Sequence, residues 1–251
     1  MKAIVGTAVV HDDAAELARG GAEQLAEVAR EAVREHGRCT LSLTGGSSPA
    51  ALYRLLAEAP FAEAIPWNDV HLFWGDDRVV PPDHPRSNFR LAHRLFIGHL
   101  GLPARNVHRV RGELGGVPLG RATHAELDEY FAGPPRFDLV HLGVGEDGHV
   151  ASLFPFDRDT LMQRTRSVAT SLFRGLGEWR VTLTIPALNL ARRVEILLPS
   201  AAKARIARVA MCGPLDPIRV PAQAVRPADG TLLWRLTREV LEAGAPATTG
   251  R

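Results

Sequence analysis

The sequence predicts a single α/β domain with a largely parallel, Rossmann-like twisted sheet that is flanked by helices on both faces. Apolar segments of strand length alternate with longer segments whose apolar residues recur at helical spacing. Such alternation is typical of right-handed βαβ units, in which successive strands run parallel. No internal repeat and no long polar linker divides the 251 residues. We therefore expect one domain over residues 1–242 and a frayed tail at 243–251.

The first part of the chain is predicted to contain three strands and three helices. The apolar segment Ala3–Val10 is interpreted as a strand rather than a secretory leader, because three polar residues follow it at once. Asp12 or Asp13 caps a helix that extends to about His36 and that Gly20–Gly21 would bend or break. The remaining elements are strands at Cys39–Thr44 and Val70–Trp74, a helix that begins near Pro49, a proline-rich loop at Pro81–Pro85, and a helix from a Ser87 cap to about His99.

The second part of the chain continues the alternation. Strand Phe137–Val144 leads directly into the polar segment Gly145–His149. The other predicted elements are strands at Val107–Val110, Ser167–Ser171, Arg180–Ile185 and Val194–Leu198, helices at Thr123–Phe131 and Ala201–Met211, and a mixed element at Leu232–Leu241.

The charge and cysteine content exclude several classes of protein. Lys and Arg number 30 against 28 Asp and Glu, and the net charge of +2 argues against nucleic-acid binding by bulk electrostatics. No apolar run approaches the roughly 18 residues that a membrane span needs. Cys39 and Cys212 form neither a disulfide framework nor a zinc-binding pattern, so we expect a reduced, cytoplasmic setting and no metal.

Three polar loops that contain glycine follow predicted strands: Gly45–Ser48, Gly75–Arg78 and Gly145–His149. Ligands of open α/β sheets bind beyond the carboxyl ends of the strands. If the strands are parallel, all three loops lie at one edge of the sheet. We therefore expect them to line one crevice.

The loop at Gly45–Ser48 presents backbone N–H groups just before a helix, which suits one phosphate. It is not a nucleotide P-loop, because the Lys-Ser/Thr ending is absent, and it does not match the Gly-x-Ser-x-Gly nucleophile elbow. A plain tight turn capped by Ser48 explains the pattern equally well, so both interpretations stay open.

The segment 143–148 matches G-x-G-x-x-G, but a dinucleotide site is rejected. Glu146 and Asp147 would place negative charge at the pyrophosphate, and Pro155 leaves too little chain for a crossover helix. The glycines instead indicate a sharp turn that projects Asp147 and His149 to one side. A carboxylate beside an imidazole fixes the tautomer of the ring and makes it a general base near neutral pH.

Other charged residues have less specific settings. Asp76 and Asp77 fit a solvated turn, and Arg78 either neutralises them or binds phosphate with its planar guanidinium. Lys203 lies in the first turn of its predicted helix, where a cation is unfavourable by up to about 1 kcal/mol unless an anionic ligand is near. Arg180 opens a strand, and solvated side chains remain an alternative for it and for Lys203.

Long strings of the sequence resemble the 6-phosphogluconolactonase family in the family's order. The strings are LSLTGGSSPAALY (41–53), WGDDRVVPPDHPRSNFRL (74–91), FDLVHLGVGEDGHVASLFP (137–155), RVTLT (180–184), NLARRVEILLPSAAKARIARV (189–209) and PAQAV (221–225). The resemblance covers nearly the whole chain, and D-G-H-x-A-S-L-F-P is its most specific part. It implies hydrolysis of 6-phospho-D-glucono-1,5-lactone to 6-phosphogluconate in the pentose phosphate pathway, with no metal and no organic cofactor.

The resemblance also implies roles for individual residues. His149 matches the general base that activates water, and Asp147 matches the acid beside it. Arg78 and Lys203 match basic residues at the phosphate, and Arg180 matches a basic position that lines the site. The implied substrate- and phosphate-binding set is completed by Gly45, Gly46, Ser47, Ser48 and Asp76. Four positions depart from the family's usual residues: Asp77 for Glu, Val150 for Thr, Ser200 for Gly and Thr237 for Asp.

Two other functions remain as alternatives. Glucosamine-6-phosphate isomerases and deaminases share the glycine loop and an Asp-Gly-His, but they carry a Glu just after the histidine. The segment Val150–Pro155 contains no acid, which favours the lactonase. A non-catalytic sugar-phosphate-binding protein on the same fold is the second alternative. We expect a small phosphosugar lactone as the partner, neither nucleic acid nor membrane, and a monomer or homodimer.

Overall fold

Strands and helices alternate through residues 5–173, 175 and 177–243, which are the residues that the computed structural model describes. The strands are β1 (Thr7–His11), β2 (Cys39–Leu43), β3 (Val70–Trp74), β4 (Asp76–Arg78), β5 (Leu139–Leu142), β6 (Val168–Phe173), β7 (Glu178–Leu183), β8 (Arg193–Leu198) and β9 (Thr231–Thr237). The α-helices are α1 (Ala14–His36), α2 (Ala50–Leu56), α3 (Phe61–Ala64), α4 (Asn88–Leu95), α5 (Gly116–Phe131), α6 (Arg158–Leu161), α7 (Ile185–Asn189), α8 (Ala204–Cys212) and α9 (Arg238–Ala243).

The main sheet has six strands in the order β1-β9-β8-β5-β2-β3, and every neighbouring pair is parallel. From β2 the chain moves outward to β3 and then returns to β5 on the other side of β2. The junction of β2 and β5 is therefore the point where the winding direction reverses, and such a junction opens a crevice at the carboxyl ends of its strands. The predicted α/β class with a largely parallel sheet flanked by helices is confirmed.

A second, antiparallel sheet has the order β4-β7-β6 and was not predicted. The strands expected at Ser167–Ser171 and Arg180–Ile185 exist as β6 and β7, but they pair with each other outside the main sheet. The segment Asp76–Arg78, expected as part of a loop, is the strand β4. Gly75 joins the two sheets, because its N–H donates to Leu43 O at 2.8 Å and its carbonyl accepts from Leu183 N at 2.8 Å.

Helix α1 runs without interruption from Ala14 to His36, so Gly20–Gly21 does not break it. Asp13 caps the helix by accepting from Ala15 N and Glu16 N, both at 2.8 Å. At Gly20 the helix lies against side chains of the sheet, and a Cβ there would come within 2.7 Å of Arg235 Nη1 and His11 Cε1. The glycine thus makes room for a buried polar side chain.

Helix α1 and strand β2 both contribute to the hydrophobic core. The α1 side chains of Leu17, Leu25 and Ala29 are buried, as are Leu41 and Leu43 of β2. Burial of each leucine contributes roughly 2 kcal/mol. This packing anchors β2, which carries the Gly45–Ser48 loop at its end.

Three other predicted elements differ in extent. Residues 107–110 form only a single bridge, Leu72 to Val107, because the chain turns away after His108 N donates to Leu72 O at 2.8 Å. Helix α5 begins at Gly116 rather than Thr123, and α8 begins at Ala204 after a 3₁₀ turn at Ala201–Lys203.

Several sequence expectations concern the chain termini. The first strand begins at Thr7, and residues 3 and 4 of the predicted Ala3–Val10 strand lie outside the described residues. Of the predicted frayed tail, residues 244–251 also lie outside them. Cys39 is buried and Cys212 is partly buried, and both are free thiols. Within the described ranges, no helix combines the length and apolar character required to cross a bilayer.

Candidate active site

A cleft of about 180 Å³ opens beyond the carboxyl ends of β2 and β5. The structure brings the three predicted loops together there, with residues of β7 and of the turn before α8. Of the predicted site residues, all except Asp147 line the cleft. The lining consists of Thr44, Gly45, Gly46, Ser47, Ser48, Asp76, Arg78, Asn88, Gly143, Val144, Gly145, His149, Ala151, Arg180 and Lys203.

The glycine loop after β2 has two positions that require glycine. Gly46 has a φ of +81°, in the left-handed region, and a Cβ on Gly45 would overlap the side chain of Asn88. The start of the loop is fixed by buried Tyr53, whose hydroxyl accepts from Thr44 N at 3.1 Å and donates to Thr44 O at 2.8 Å. The loop is thereby held with its backbone along the cleft.

The turn into α2 differs in detail from expectation. Pro49 precedes the first helical residue, Ala50, and occupies the N-cap position without a side-chain cap. Ser48 therefore does not cap the helix. Within the described part of the chain its hydroxyl has no hydrogen-bond partner, and it remains available to a ligand in the cleft.

Asp147 and His149 form a hydrogen-bonded pair at the end of β5. The Nδ1 atom of His149 lies 2.6 Å from Asp147 Oδ1, which also accepts from His149 N at 3.1 Å. Burial raises the pKa of Asp147, but the hydrogen bond and the charge of His149 outweigh it and leave this pKa below its usual value. The carboxylate is thus the acceptor, Nδ1 carries the proton, and Nε2 has no partner among the described residues.

Arginines of β4 and β7 form a cationic wall of the cleft. The Nη1 group of Arg78 donates to Arg86 O at 2.9 Å and to the side-chain oxygen of Asn88. Arg180 Nη2 donates to Glu178 Oε2 at 2.8 Å, and the guanidinium lies 5.2 Å above the ring of Phe173. Burial, followed by the nearby charge of Arg78, lowers the pKa of Arg180.

Glu178 forms ion pairs with two arginines, Arg180 and Arg86. Its Oε1 lies 3.0 Å from Arg86 Nη1, while its Oε2 accepts from Arg180. Glu178 is buried and Arg86 is half exposed, so the carboxylate links the buried guanidinium to the protein surface.

The two adjacent acids of β4 are both buried, so their interpretation as a solvated turn is wrong. Asp76 Oδ2 accepts from Ser152 Oγ at 2.6 Å, and Asp76 Oδ1 accepts from Asn88 Nδ2 at 3.3 Å. Asp76 lines the cleft.

Asp77 points away from the cleft and binds the start of α4. It accepts from the backbone N–H of Asn88 at 2.7 Å and of Phe89 at 3.0 Å. Ser87, as predicted, caps the helix by accepting from Arg90 N at 3.2 Å.

Lys203 reaches the cleft from the turn before α8, where its Nζ lies 3.8 Å from Glu146 Oε1.

Ser200, in place of the family's usual glycine, has an unstrained φ of −138° and accepts from Ala202 N at 3.4 Å. Thr237, in place of the usual aspartate, accepts from Val240 N at 3.4 Å and so caps α9. Both side chains therefore accept a hydrogen bond from the start of the helical turn that follows.

Sequence reasoning missed the buried polar residues that support the lining. Asn88 and Ser152 lie in ordinary loop or helix-start sequence, and no local pattern marks them. Glu178 had a usable signal, because it precedes Arg180 by two residues on a strand and so shares its face. Among the described residues, no three His, Cys, Asp or Glu side chains are grouped to hold a metal ion.

Comparison with known proteins identifies relatives over most of the chain. The family profile described as glucosamine-6-phosphate isomerases/6-phosphogluconolactonase matches residues 12–234. A 6-phosphogluconolactonase of Haemophilus influenzae is 35% identical over 208 residues, which cover 79% of this chain and 84% of the relative.

Solved structures share the fold. The 6-phosphogluconolactonase from Trypanosoma brucei has a TM-score of 0.83 and 25% identity, with 97% of this chain and all of the other covered. A monomeric glucosamine-6-phosphate deaminase has a TM-score of 0.80 at 17% identity, over 94% of this chain and 99% of the other, which shows the shared fold alone. By its sequence match over most of its length, this chain belongs to the glucosamine-6-phosphate isomerase/6-phosphogluconolactonase family, within the 6-phosphogluconolactonase branch.

Proposed function

We propose that the protein hydrolyses 6-phospho-D-glucono-1,5-lactone to 6-phospho-D-gluconate, the lactonase step of the oxidative pentose phosphate pathway. The observation that carries the proposal is the Asp147–His149 pair, which leaves Nε2 of His149 without a partner among the described residues in a cationic cleft. The names of the relatives, 6-phosphogluconolactonases at about one-third identity, support the same reaction.

His149 acts as the general base. Its Nε2 accepts a proton from water as the oxygen of that water attacks the lactone carbonyl carbon. Asp147 holds the ring in the required tautomer and stabilises the imidazolium that forms. The ring C–O bond of the tetrahedral intermediate then breaks, and the proton on Nε2 passes to the departing ring oxygen.

The cationic groups of the cleft bind and stabilise negative charge. Arg78, Lys203 and the backbone N–H groups of Gly45–Ser48 bind the phosphate, which orients the lactone. Arg180 lines the site beside Asp76 and adds positive charge near the developing oxyanion. A lactone is an activated ester, so these groups suffice without a nucleophilic serine.

The alternative of a glucosamine-6-phosphate isomerase or deaminase has less support. The segment Val150–Pro155 has no carboxylate to assist ring opening, and within it Ser152 is instead bonded to Asp76. A non-catalytic sugar-phosphate-binding protein would not need an imidazole–carboxylate pair in the cleft.

A pH-stat assay tests the proposal. Acid release from 6-phosphogluconolactone should exceed the spontaneous rate by several orders of magnitude, and glucosamine 6-phosphate should release no ammonia. Ammonia release would identify a deaminase. Tight binding of 6-phosphogluconate without turnover of either substrate would identify a non-catalytic binder.

We propose further that residues 1–242 act as one domain, that the protein is a monomer or homodimer, and that it is cytoplasmic. The two free cysteines fit a reducing compartment. Gel filtration with light scattering determines the oligomeric state.

A further inference from the structure

Asn88 is the first residue of α4, and its side chain turns inward to the cleft rather than to solvent. Only 2% of its surface is exposed. Its Nδ2 donates to Asp76 O at 2.8 Å and to Asp76 Oδ1 at 3.3 Å, while its Oδ1 accepts from Arg78 Nη1. The nitrogen of the Asn88 amide is thus hydrogen-bonded to Asp76, and its oxygen is hydrogen-bonded to Arg78.

A hydrogen bond from the backbone of Asn88 also fixes the position of its side-chain amide. Asn88 N donates to Asp77 Oδ1 at 2.7 Å, and Asp77 also accepts from Arg78 N at 2.7 Å. Asp77 therefore binds the start of α4 to β4. On its other side the Asn88 side chain fills the space in which a Cβ of residue 45 would lie.

Arg78 has few other restraints on its guanidinium. Its Nε is buried without a hydrogen-bond partner among the described residues, and Nη1 is bonded to Asn88 and to the carbonyl of Arg86. Arg86 is half exposed, whereas Asn88 is buried and its amide is hydrogen-bonded at both ends. The orientation of Arg78 into the cleft therefore depends mainly on Asn88.

We propose that Asn88 is a positioning residue, which acts through Arg78 to orient its guanidinium toward the phosphate of the substrate. The proposal rests on the proposed function for the identity of the anion. An amide suits this position because it donates to a carboxylate and accepts from a guanidinium at the same time. An aspartate could not donate to Asp76, and a leucine of similar volume would remove one hydrogen bond from each of the two charged groups.

A double-mutant cycle with a matched control tests the proposal. The variants are Asn88→Ala, Arg78→Ala and the double variant, and the control is Asn106→Ala. Asn106 is a buried asparagine outside the cleft, and its amide donates to Asn68 O at 2.8 Å. Binding of 6-phosphogluconate is measured by calorimetry, and free energies of unfolding are measured in urea.

Both single variants at the site should weaken binding by roughly tenfold or more. The double variant should bind no more weakly than Arg78→Ala, because residues that act through one another are not additive. Asn106→Ala should be destabilised and yet bind like the wild type. Additive effects of Asn88→Ala and Arg78→Ala, or unchanged binding in Asn88→Ala, would overturn the proposal.

The ligand-free protein supplies a second measurement that does not depend on the proposed function. The Nε–H signal of Arg78 is identified in ¹⁵N spectra by its absence in Arg78→Ala. It should shift or broaden in Asn88→Ala and stay in place in Asn106→Ala. If the wild type binds no 6-phosphogluconate, the proposed function fails. An unmoved Arg78 signal in Asn88→Ala means that the positioning role fails.

Discussion

Nδ1 of His149 lies 2.6 Å from Oδ1 of Asp147, and this contact determines which ring nitrogen faces the cleft. Gly145 permits the arrangement, because a Cβ at that position would overlap the His149 ring. The two side chains come from one short turn after β5, so the pair is assembled locally. The charged groups around it come from β4, β7 and the turn before α8.

The tautomer of His149 should depend on Asp147. In Asp147→Asn the amide N–H₂ is able to donate to Nδ1, which would place the ring proton on Nε2 and remove the acceptor for water. We expect kcat to fall by roughly 10²-fold or more. Asp128→Asn is the control, because Asp128 also faces a histidine, with His124 Nε2 at 3.5 Å, but lies on α5 outside the cleft lining. A value of kcat in Asp147→Asn close to that of Asp128→Asn would contradict the role.

The pH dependence of the wild type follows from the same pair. Protonation of Nε2 removes the base, so kcat/KM should fall on acidification once that nitrogen carries a proton. The lowered pKa of Asp147 means that its carboxylate remains ionised over this range and does not add a second step. On the acidic side, a plot of log(kcat/KM) against pH should therefore have a slope of one, which corresponds to the uptake of one proton. This acidic decline should be absent from the residual activity of His149→Asn.

Local pattern predicted five of the six main-sheet strands and the three polar loops, because an apolar run that ends in glycine and charged residues can be recognised over a few positions. The sixth strand, β9, was expected only as part of a mixed element at Leu232–Leu241. The strand order was not predictable in this way. The pairing of β2 with β5 joins residues about 100 positions apart, such as Leu41 and Leu139, and it depends on the packing of the whole chain. β4 was missed since three charged residues, Asp76–Arg78, resemble a turn until β7 pairs with them.

The sequence likewise predicted the site residues that lie close together in the chain, but not those that meet only in the folded protein. Asp147 and His149 share one turn and were identified together, whereas Ser152 reaches Asp76 across 76 positions. Asn88 is buried only because Asp77 draws the start of α4 against β4. The roles of such supporting residues depend on tertiary contacts, and the spacing of residues along the sequence does not predict these contacts.

Glu178 forms ion pairs with buried Arg180 and with half-exposed Arg86, and the buried pair should contribute more to the free energy of unfolding. Glu178→Ala leaves the buried guanidinium of Arg180 without its carboxylate, and we expect a loss of about 3 kcal/mol in the free energy of unfolding. Arg86→Ala removes only the half-exposed partner and should cost less than about 1 kcal/mol. Urea denaturation of both variants checks the difference, and equal losses would show that burial does not control the strength of these contacts.

Asp77 should make stability depend on pH between about 4 and 6. Burial raises its pKa from 3.8 to about 6, although hydrogen bonds from backbone N–H groups act in the opposite direction. The folded protein then binds the proton more tightly than the unfolded chain does. The contribution of Asp77 to the free energy of unfolding should therefore be largest below pH 4 and should fall by about 3 kcal/mol as the pH rises through 6.

Asp77→Asn isolates this contribution, because the amide does not titrate. At pH 4 the variant should be less stable than the wild type, since one backbone N–H loses its acceptor. Its deficit relative to the wild type should shrink between pH 4 and pH 7. A deficit that stays constant over this range would mean that the pKa of Asp77 is the same in the folded and unfolded chains.

The last prediction concerns His149 itself. Asparagine has a polar group of similar reach but cannot accept the proton of the attacking water, so His149→Asn should lower kcat by roughly 10²- to 10⁴-fold. KM should change little, because the cationic groups assigned to the phosphate are untouched. The control is His36→Asn, since His36 also faces a carboxylate, with Nε2 3.3 Å from Asp138 Oδ1, but is not part of the cleft lining. Initial rates on the lactone are corrected for spontaneous hydrolysis, and circular dichroism confirms that both variants fold. A folded His149→Asn protein with the kcat of His36→Asn would exclude His149 as the base and would leave the family membership intact.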